Sequence, residues 1–586
     1  MSDRTQIHYE TLSSVPDRVI SQGTMLWNRT GSWRYMRPAY RRLTPPCNNG
    51  CPAGNNIEGF IKLAQENRFD DALKLIREES PLSAVCGRVC FHPCENACNR
   101  AGYDTPVAIH AIEQFISDSA QDRFEPEQIF SDSGKTIAVV GAGPAGLSCA
   151  YHLARFGHRV VVYEANDKPG GILRYGIPVY RLPKDILDRE IADIEKLGVR
   201  ILCGQTVGRD ISWQELDRHD ALFIGTGCHK ERPLFNGDTP AKGVIPSMAY
   251  LTQVAQNRSD STGKETAIIG GGNSAIDAAR TALRMGSRVT VYYHRTQKEM
   301  PAFENEIRDA VKEGVGFRFL VQPVDIVAKW GRVKSLKLRQ TRLGEPDDSG
   351  RRRPEPVEGS EFLVKADTVI TAIGEQADLE RLPDSLAHDN WKLTVDPFGA
   401  TSADKVFAGG DTALDEHNIA EAIGSGKASA CAIDAFVSGI DINRIKDDIF
   451  IGTTQRVSAS RYALVKQALD TPEVLKAVVG FDQINTAYFD RKQRAKKEKL
   501  PIQERLAGFD EVCRSLSENA VLAETERCFH CGVCTDCDNC VKFCPDVSVI
   551  KRADGTGYDI DLDYCKGCGI CVNECPRSAM AMEEDI

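Results

Sequence analysis

The spacing of apolar positions changes along the 586-residue chain, and each change marks an element. In IEGFIKLAQENRFDDALKLI, over 57–76, apolar residues recur at helical intervals, which predicts an amphipathic helix. At 135–165, KTIAVVGAGPAGLSCAYHLARFGHRVVVYEA opens with a β-rich run ending at Val140, turns through glycines into a helical pattern, and closes on a second strand, RVVVYEA. ETAIIGGGNSAIDAARTALRMGSRVTVYYHRT repeats that plan at 265–296. Residues 446–520 carry no motif and read as helical, with the charged stretch RKQRAKKEK at 491–499 as a solvated helix face or a docking surface for an acidic partner. No apolar run reaches the ~18 residues of a membrane span. The opening MSDRTQIHYE lacks the basic and apolar regions of a signal peptide, so a soluble cytoplasmic protein is expected.

The glycines give these patterns a chemistry. Gly141, Gly143 and Gly146 form GxGxxG between strand and helix, with Pro144 and Ala145 inside the motif. The first glycine permits the tight turn, the second lets backbone approach a pyrophosphate, and the third lets helix and strand pack closely. The helix N-terminus faces the phosphates, and Glu164, ending the next strand, can accept hydrogen bonds from a ribose. KPGGILRYGIP at 168–178 and VFAGGD at 406–411 suit the rest of an FAD site; Gly171, Leu173, Arg181, Thr226, Gly227, Gly410, Asp411 and Ala420 are its candidate residues. In the second unit Gly270, Gly272 and Ala275 form GxGxxA, with Asn273, Ser274 and Gly374 as further NAD(P) candidates. His294 and Arg295 stand where an acidic residue would favour NAD and an arginine NADP. One such fold inserted in another is the plan of a flavin disulfide-reductase-like core. No CxxC lies near either fold, so electrons from the flavin need another acceptor.

Composition supplies one. The net charge of −10 argues against nucleic acid as a partner. Six of the 21 cysteines lie between Cys47 and Cys98 and ten between Cys528 and Cys575; in a cytosolic chain such grouping points to metal. Cys534, Cys537, Cys540 and Cys544 before Pro545, and Cys565, Cys568, Cys571 and Cys575 before Pro576, each read C-x₂-C-x₂-C-x₃-C-P. In this two-cluster ferredoxin pattern the fourth cysteine of each run ligates the other cluster. One [4Fe-4S] cluster should therefore take Cys534, Cys537, Cys540 and Cys575, and the other Cys565, Cys568, Cys571 and Cys544. Cys528 and Cys531, just upstream, could compete for that cluster, bind something separately or remain free. Cys47, Cys51, Cys86, Cys90, Cys94 and Cys98 are more ligands than one cluster needs and fewer than two require.

CNNGCPAGNNIEGF, GRVCFHPCENAC, GAGPAG, GGILRYGIP, GGGNSA, EMPA and VFAGGD together resemble the glutamate synthase small-subunit-like iron–sulfur flavoproteins, over roughly residues 40–445. With the appended ferredoxin the whole chain is similar to the DsrL group within them, NAD(P)H:acceptor oxidoreductases of dissimilatory sulfur metabolism that work with a siroheme sulfite reductase. The resemblance implies an N-terminal cluster on Cys51, Cys90 and Cys94 with Glu113 as the fourth ligand. The family's second N-terminal cluster uses a CxxC upstream of Cys47, which this chain lacks; Cys47 and Cys98 persist, and Cys86 could replace one lost ligand. NADPH-using members show YRRSR where this chain has YHRTQ at 293–297, so NAD(H) is expected to serve at least as well as NADP(H). A redox protein partner, sulfite reductase, and a homodimer are also implied. Other assignments are a glutamate synthase small subunit, a bifurcating ferredoxin:NADP oxidoreductase subunit, and a non-catalytic electron-wiring subunit.

The expected architecture is multi-domain: a helical iron–sulfur domain at 1–130, an α/β FAD domain at 131–260 and 371–445, a Rossmann-like NAD(P) domain at 261–370, a helical linker at 446–520, and an α+β ferredoxin domain at 521–586.

Overall fold

The computed structural model describes residues 29–235, 241–258, 263–347, 350–389, 391–469, 475–555 and 557–585; the opening segment read for a leader lies outside them. Two parallel sheets form the centre. The first runs Val406–Ala408, Ala221–Ile224, Thr136–Val140, Arg159–Glu164, Arg200–Cys203. The second runs Gly316–Phe319, Arg288–Tyr293, Glu265–Ile269, Thr368–Thr371, Val244–Pro246. Runs such as TIAVV and ALFI are apolar at nearly every position because helices cover both faces of a parallel sheet.

The chain leaves the first sheet along Cys228–Glu231 and returns along Glu375–Ala377, and these two strands pair antiparallel as the joint between the domains. Val244–Pro246 joins the second sheet, and Tyr250 and Leu251 of helix Ser247–Ala255 enter its core. The nucleotide domain thus begins before residue 261, at an edge strand with no motif to announce it. A four-stranded antiparallel sheet, Val321–Lys329, Arg332–Pro346, Arg352–Pro356 and Phe362–Lys365, is built out from this domain.

The pattern over 57–76 forms two helices, Ile57–Gln65 and Phe69–Arg77. Asn67 between them is left-handed, φ 60°, a conformation asparagine tolerates and one that ends a helix. Their apolar faces are not a separate core. Phe60, Ile76 and Leu82 share one continuous cluster with Ile137, Leu147 and Ile194 of the flavin-side domain.

Two further expectations are corrected. The stretch 491–499 is not a helix but an irregular strap from the N-terminal helices to the nucleotide domain: Arg494 donates to Glu95, Lys497 to Gln114 Oε1 at 2.5 Å, and Lys499 to Asp309 Oδ2 at 2.6 Å. Two tertiary carboxylates and one side-chain amide hold it, so no helix face is needed. Residues 36–44 do not belong wholly to the helical domain. Met36–Tyr40 pairs antiparallel with Met580–Glu584, and Leu43–Thr44 pairs with Leu475–Val478. No helix among the described residues is long and apolar enough to cross a membrane.

Candidate active site and cysteine centres

Both glycine motifs sit as dinucleotide loops. An added Cβ at Gly141 would meet the Gly225 carbonyl oxygen at 2.5 Å, and one at Gly146 the Gly141 oxygen at 1.9 Å, so the outer glycines are closed against backbone. A Cβ at Gly143 would meet nothing within 4 Å. Helix Pro144–Arg155 has Gly143 at its cap and no side chain on its first N–H groups. The second unit repeats this: Gly270 is closed against the Ala372 oxygen at 2.2 Å, Gly272 is open, and helix Asn273–Arg284 has no side-chain cap. Open space before uncapped, partially positive N–H groups is what two pyrophosphates need. Asn273 Oδ1 instead accepts from Phe303 N at 3.0 Å, tying the EMPA loop to the second motif.

Glu164 is buried and accepts from Ala142 N at 2.8 Å and Asn166 N at 2.8 Å, so it shapes the loop that a ribose would border. Gly170 donates to the Ala142 oxygen at 2.8 Å, and a Cβ at Gly171 would reach Gly143 Cα at 2.9 Å; the two glycines at 170–171 therefore close over the first motif. Leu173 is fully buried below. On the opposite side Thr412 Oγ1 accepts from Gly227 N at 2.6 Å and lies 3.2 Å from Thr226 Oγ1, while Ser425 Oγ accepts from Gly410 N at 2.9 Å. Burial raises the Asp411 carboxyl against the pull of His417 and His229. Ala420 is buried in helix Ile419–Val437, which packs on Pro144–Arg155.

Two charged candidates are already engaged. Arg181 donates to Asp277 Oδ2 at 2.6 Å and lies 3.6 Å from Glu306, so it bridges the two nucleotide domains. Arg295 donates to Asp347 Oδ2 at 2.6 Å and to the Arg352 oxygen at 2.7 Å, with His294 Nε2 3.1 Å away. The antiparallel insert thus takes the charge that a 2′-phosphate would use. Gly374, φ 102°, stands beside the interdomain joint, and its carbonyl accepts from Arg232 N.

Sixteen of the 21 cysteines gather in four sets. Cys51, Cys86, Cys90, Cys94 and Glu113 share a buried site. Its donor chemistry fits a cluster: Cys51 faces the N–H groups of Asn55 and Ala53, Cys90 accepts from His92 N at 3.4 Å, and Glu113 Oε1 is buried without a partner. Burial, then the Glu190 charge, push the Glu113 carboxyl to about 8. Cys86 therefore sits with this set and not with Cys47, whose electrostatic neighbours are Cys98, Cys528 and Cys531.

Farther along, Cys534, Cys537, Cys540 and Cys575 line one cavity, and Cys544, Cys565, Cys568 and Cys571 line another. Strand Met36–Tyr40 lies across both. Tyr40 lines the first, with its hydroxyl 3.1 Å from Cys540 Sγ, and Pro38 lines the second. Nothing local marks Tyr40, Asp277, Asp347 or Thr412, since each acts on residues far away in the chain. Cys528 and Cys531 carried a signal, their CxxC spacing, but no indication of a partner.

Comparison with known proteins agrees with this geometry. Residues 135–429 match the pyridine nucleotide-disulphide oxidoreductase family, 39–124 the 4Fe-4S domain II of dihydropyrimidine dehydrogenase, and 558–581 a 4Fe-4S binding domain. The chain is 38% identical to the NADP(+)-dependent formate dehydrogenase subunit beta of Moorella thermoacetica, over 83% of this chain and 71% of that one. It is 34% identical to the NADPH-Fe(3+) oxidoreductase subunit beta of Geobacter sulfurreducens, over 84% and 75%. It is 35% identical to the NADPH glutamate synthase small chain of Escherichia coli, over 66% and 88%. The protein is an FAD- and iron–sulfur-dependent NAD(P)H oxidoreductase with [4Fe-4S] clusters in its N- and C-terminal regions. The chain belongs to the pyridine nucleotide-disulphide oxidoreductase family, among its glutamate synthase small-subunit-like iron–sulfur flavoproteins.

Proposed function

We propose that this enzyme exchanges electrons between a nicotinamide nucleotide and a redox protein that docks on the ferredoxin-like end. One observation carries the reading. Cys537 and Cys568 reach the surface beside both cysteine cavities, where Phe543, Val547 and Ile570 are exposed. An apolar rim at the edge of electron carriers suits a transient partner.

When bound, FAD supplies hydride acceptance and single-electron release. The chain's residues do the rest. Gly143 and Gly272 leave room for the pyrophosphates, and the two uncapped helix N-termini hold them. The paired strands Cys228–Glu231 and Glu375–Ala377 and the Arg181–Asp277 contact set the two nucleotide sites against each other. Cys51, Cys90, Cys94 and Glu113 would hold the N-terminal cluster. Cys534, Cys537, Cys540 and Cys575 would hold one C-terminal cluster, and Cys544, Cys565, Cys568 and Cys571 the other.

The nucleotide is NAD(H) at least as readily as NADP(H). The relatives' names carry NADP, but here Arg295 is committed to Asp347. A reducing cytoplasmic setting agrees with 21 cysteines of which none is in a disulfide. The DsrL resemblance nominates a siroheme sulfite reductase as the partner. Affinity purification of the tagged full-length chain from its own cells should recover that enzyme; recovery of a glutamate synthase large subunit or a formate dehydrogenase instead overturns the assignment. Size-exclusion chromatography of the same sample reads the expected homodimer. In stopped flow, NADH should bleach the flavin band, and failure to do so would sink the oxidoreductase reading.

A further inference from the structure

Cys528 and Cys531 follow a helix, Glu518–Thr525, that is seated among the N-terminal helices. Its Val521 is fully buried in the core formed with them and the flavin-side sheet, and Cys528 packs against the same core. The loop after it is pinned at several points. Arg100 Nη1 donates to the Arg527 oxygen at 2.9 Å, and the Arg100 guanidinium lies 4.8 Å over the Phe529 ring. His530 Nδ1 meets Glu58 Oε1 at 2.7 Å, and Leu43 N donates to the Gly532 oxygen at 3.1 Å. Arg100 is two residues from Cys98 and Leu43 four from Cys47, so each anchor draws the CxxC toward those two cysteines.

The four sulfurs form one electrostatic group: Cys98, Cys528 and Cys531 all act on Cys47. Each of three receives N–H donors as a thiolate ligand would. Cys98 faces the backbone of Val107 and Arg100, Cys528 accepts from His530 N at 3.4 Å, and Cys531 from Asn99 Nδ2 at 3.5 Å. None is in a disulfide. Zinc is too small for the spacing. Thiolates on one zinc lie about 3.8 Å apart, given Zn–S bonds of about 2.3 Å. Among the described residues no three cysteine sulfurs lie within 4.8 Å of one another. A cubane spreads its four ligands more widely.

We propose that Cys47, Cys98, Cys528 and Cys531 hold a further [4Fe-4S] cluster whose ligands come from opposite ends of the chain. The inference rests on the iron–sulfur reading above. Cys51 follows Cys47 by four residues and Cys534 follows Cys531 by three, so along the chain this site adjoins both the Cys51 set and the ferredoxin-like pair. It makes one relay of what the sequence presents as two separate groups.

The test compares iron and acid-labile sulfide per chain, and low-temperature EPR of the dithionite-reduced full-length protein, for wild type, C528S/C531S, Cys47→Ser and Cys51→Ser. The double variant should lose about four iron atoms per chain and one EPR component while its flavin absorbance persists. Cys47→Ser should lose that same component, and Cys51→Ser a different one. Unchanged iron in C528S/C531S, zinc in place of iron, or different components lost by C528S/C531S and Cys47→Ser each overturn the proposal. If the double variant is insoluble, Cys98→Ser at the partly exposed edge must remove the Cys47→Ser component, and retention of it defeats the site. NADH bleaching is read on the wild-type sample; its failure defeats the oxidoreductase reading without altering the iron count.

Discussion

Replacing the middle and the last glycine of the first motif by alanine should separate cofactor binding from folding. At Gly146 the new methyl would lie 1.9 Å from the Gly141 carbonyl oxygen, where ordinary contact begins near 3.4 Å. Both sides of that contact are backbone of one tight turn, so neither can move aside cheaply. The cost lies at or above the ~3 kcal/mol end of overpacking, roughly 6–12 °C in Tm at about 2–4 °C per kcal/mol. Gly143 differs. Its φ of −78° and ψ of −179° are ordinary for alanine, and nothing stands within 4 Å of the added methyl. Gly143→Ala should leave the flavin-free protein as stable as wild type, or more stable by ~0.4–1 kcal/mol through the unfolded chain. The same methyl occupies the space a pyrophosphate needs before the helix N-terminus. Losing one charge-assisted hydrogen bond of about 1.5–3 kcal/mol raises the FAD Kd at least about tenfold. Fluorescence titration of deflavo-protein with FAD and melting curves without it make the measurement. Wild-type FAD affinity in Gly143→Ala, or a wild-type melt in Gly146→Ala, would refute the assignment of these glycines.

Other perturbations act elsewhere. Lys427 is fully buried, donating to Glu79 Oε2 at 2.5 Å and the Ala53 oxygen at 2.5 Å, so Lys427→Met should destabilise by about 3–5 kcal/mol, read by thermal melting. Burial raises the Glu79 carboxyl, but Lys427 and the hydroxyls of Ser458 and Ser460 outweigh it and hold it below the ordinary range. Its stabilisation is complete above the unfolded value of about 4.3 and fades as pH falls through the lower folded one. Between about pH 6 and about pH 3 wild type should therefore lose more stability than Lys427→Met. Tyr40→Phe removes the hydroxyl 3.1 Å from Cys540 Sγ, and one C-terminal cluster potential should fall by roughly 20–60 mV in an EPR-monitored titration. Asp347→Asn removes the carboxylate paired with Arg295, and the ratio of kcat/KM for NADPH over NADH should rise several-fold; an unchanged ratio would remove Asp347 from nucleotide selection.

The two phosphate loops and the ferredoxin runs were legible because each is written within about thirty residues and depends on local geometry. A glycine turn before a helix needs only its own backbone, and a CxxCxxC run needs only a short loop. The same locality explains the misreadings. The helical period over 57–76 continues through the break at Asn67, because side-chain spacing does not register one left-handed residue. The stretch 491–499 has helix-forming composition, yet Glu95, Gln114 and Asp309 hold it extended from positions no local pattern could indicate. Arg295 was a candidate for the nucleotide on its place after the strand, but its ion pair with Asp347 depended on where the antiparallel insert folds back.

By itself the sequence determined the chemistry: two dinucleotide loops, a two-cluster ferredoxin and a surplus of cysteines at each end. Tertiary structure alone decided how those parts join. Strand Met36–Tyr40 crosses to the C-terminus to cover both cysteine cavities, and Cys528 and Cys531 come to rest beside Cys47 and Cys98. Contacts between positions more than four hundred residues apart leave no period or spacing in the chain. They are selected by burial, backbone pairing and charge once the domains have packed.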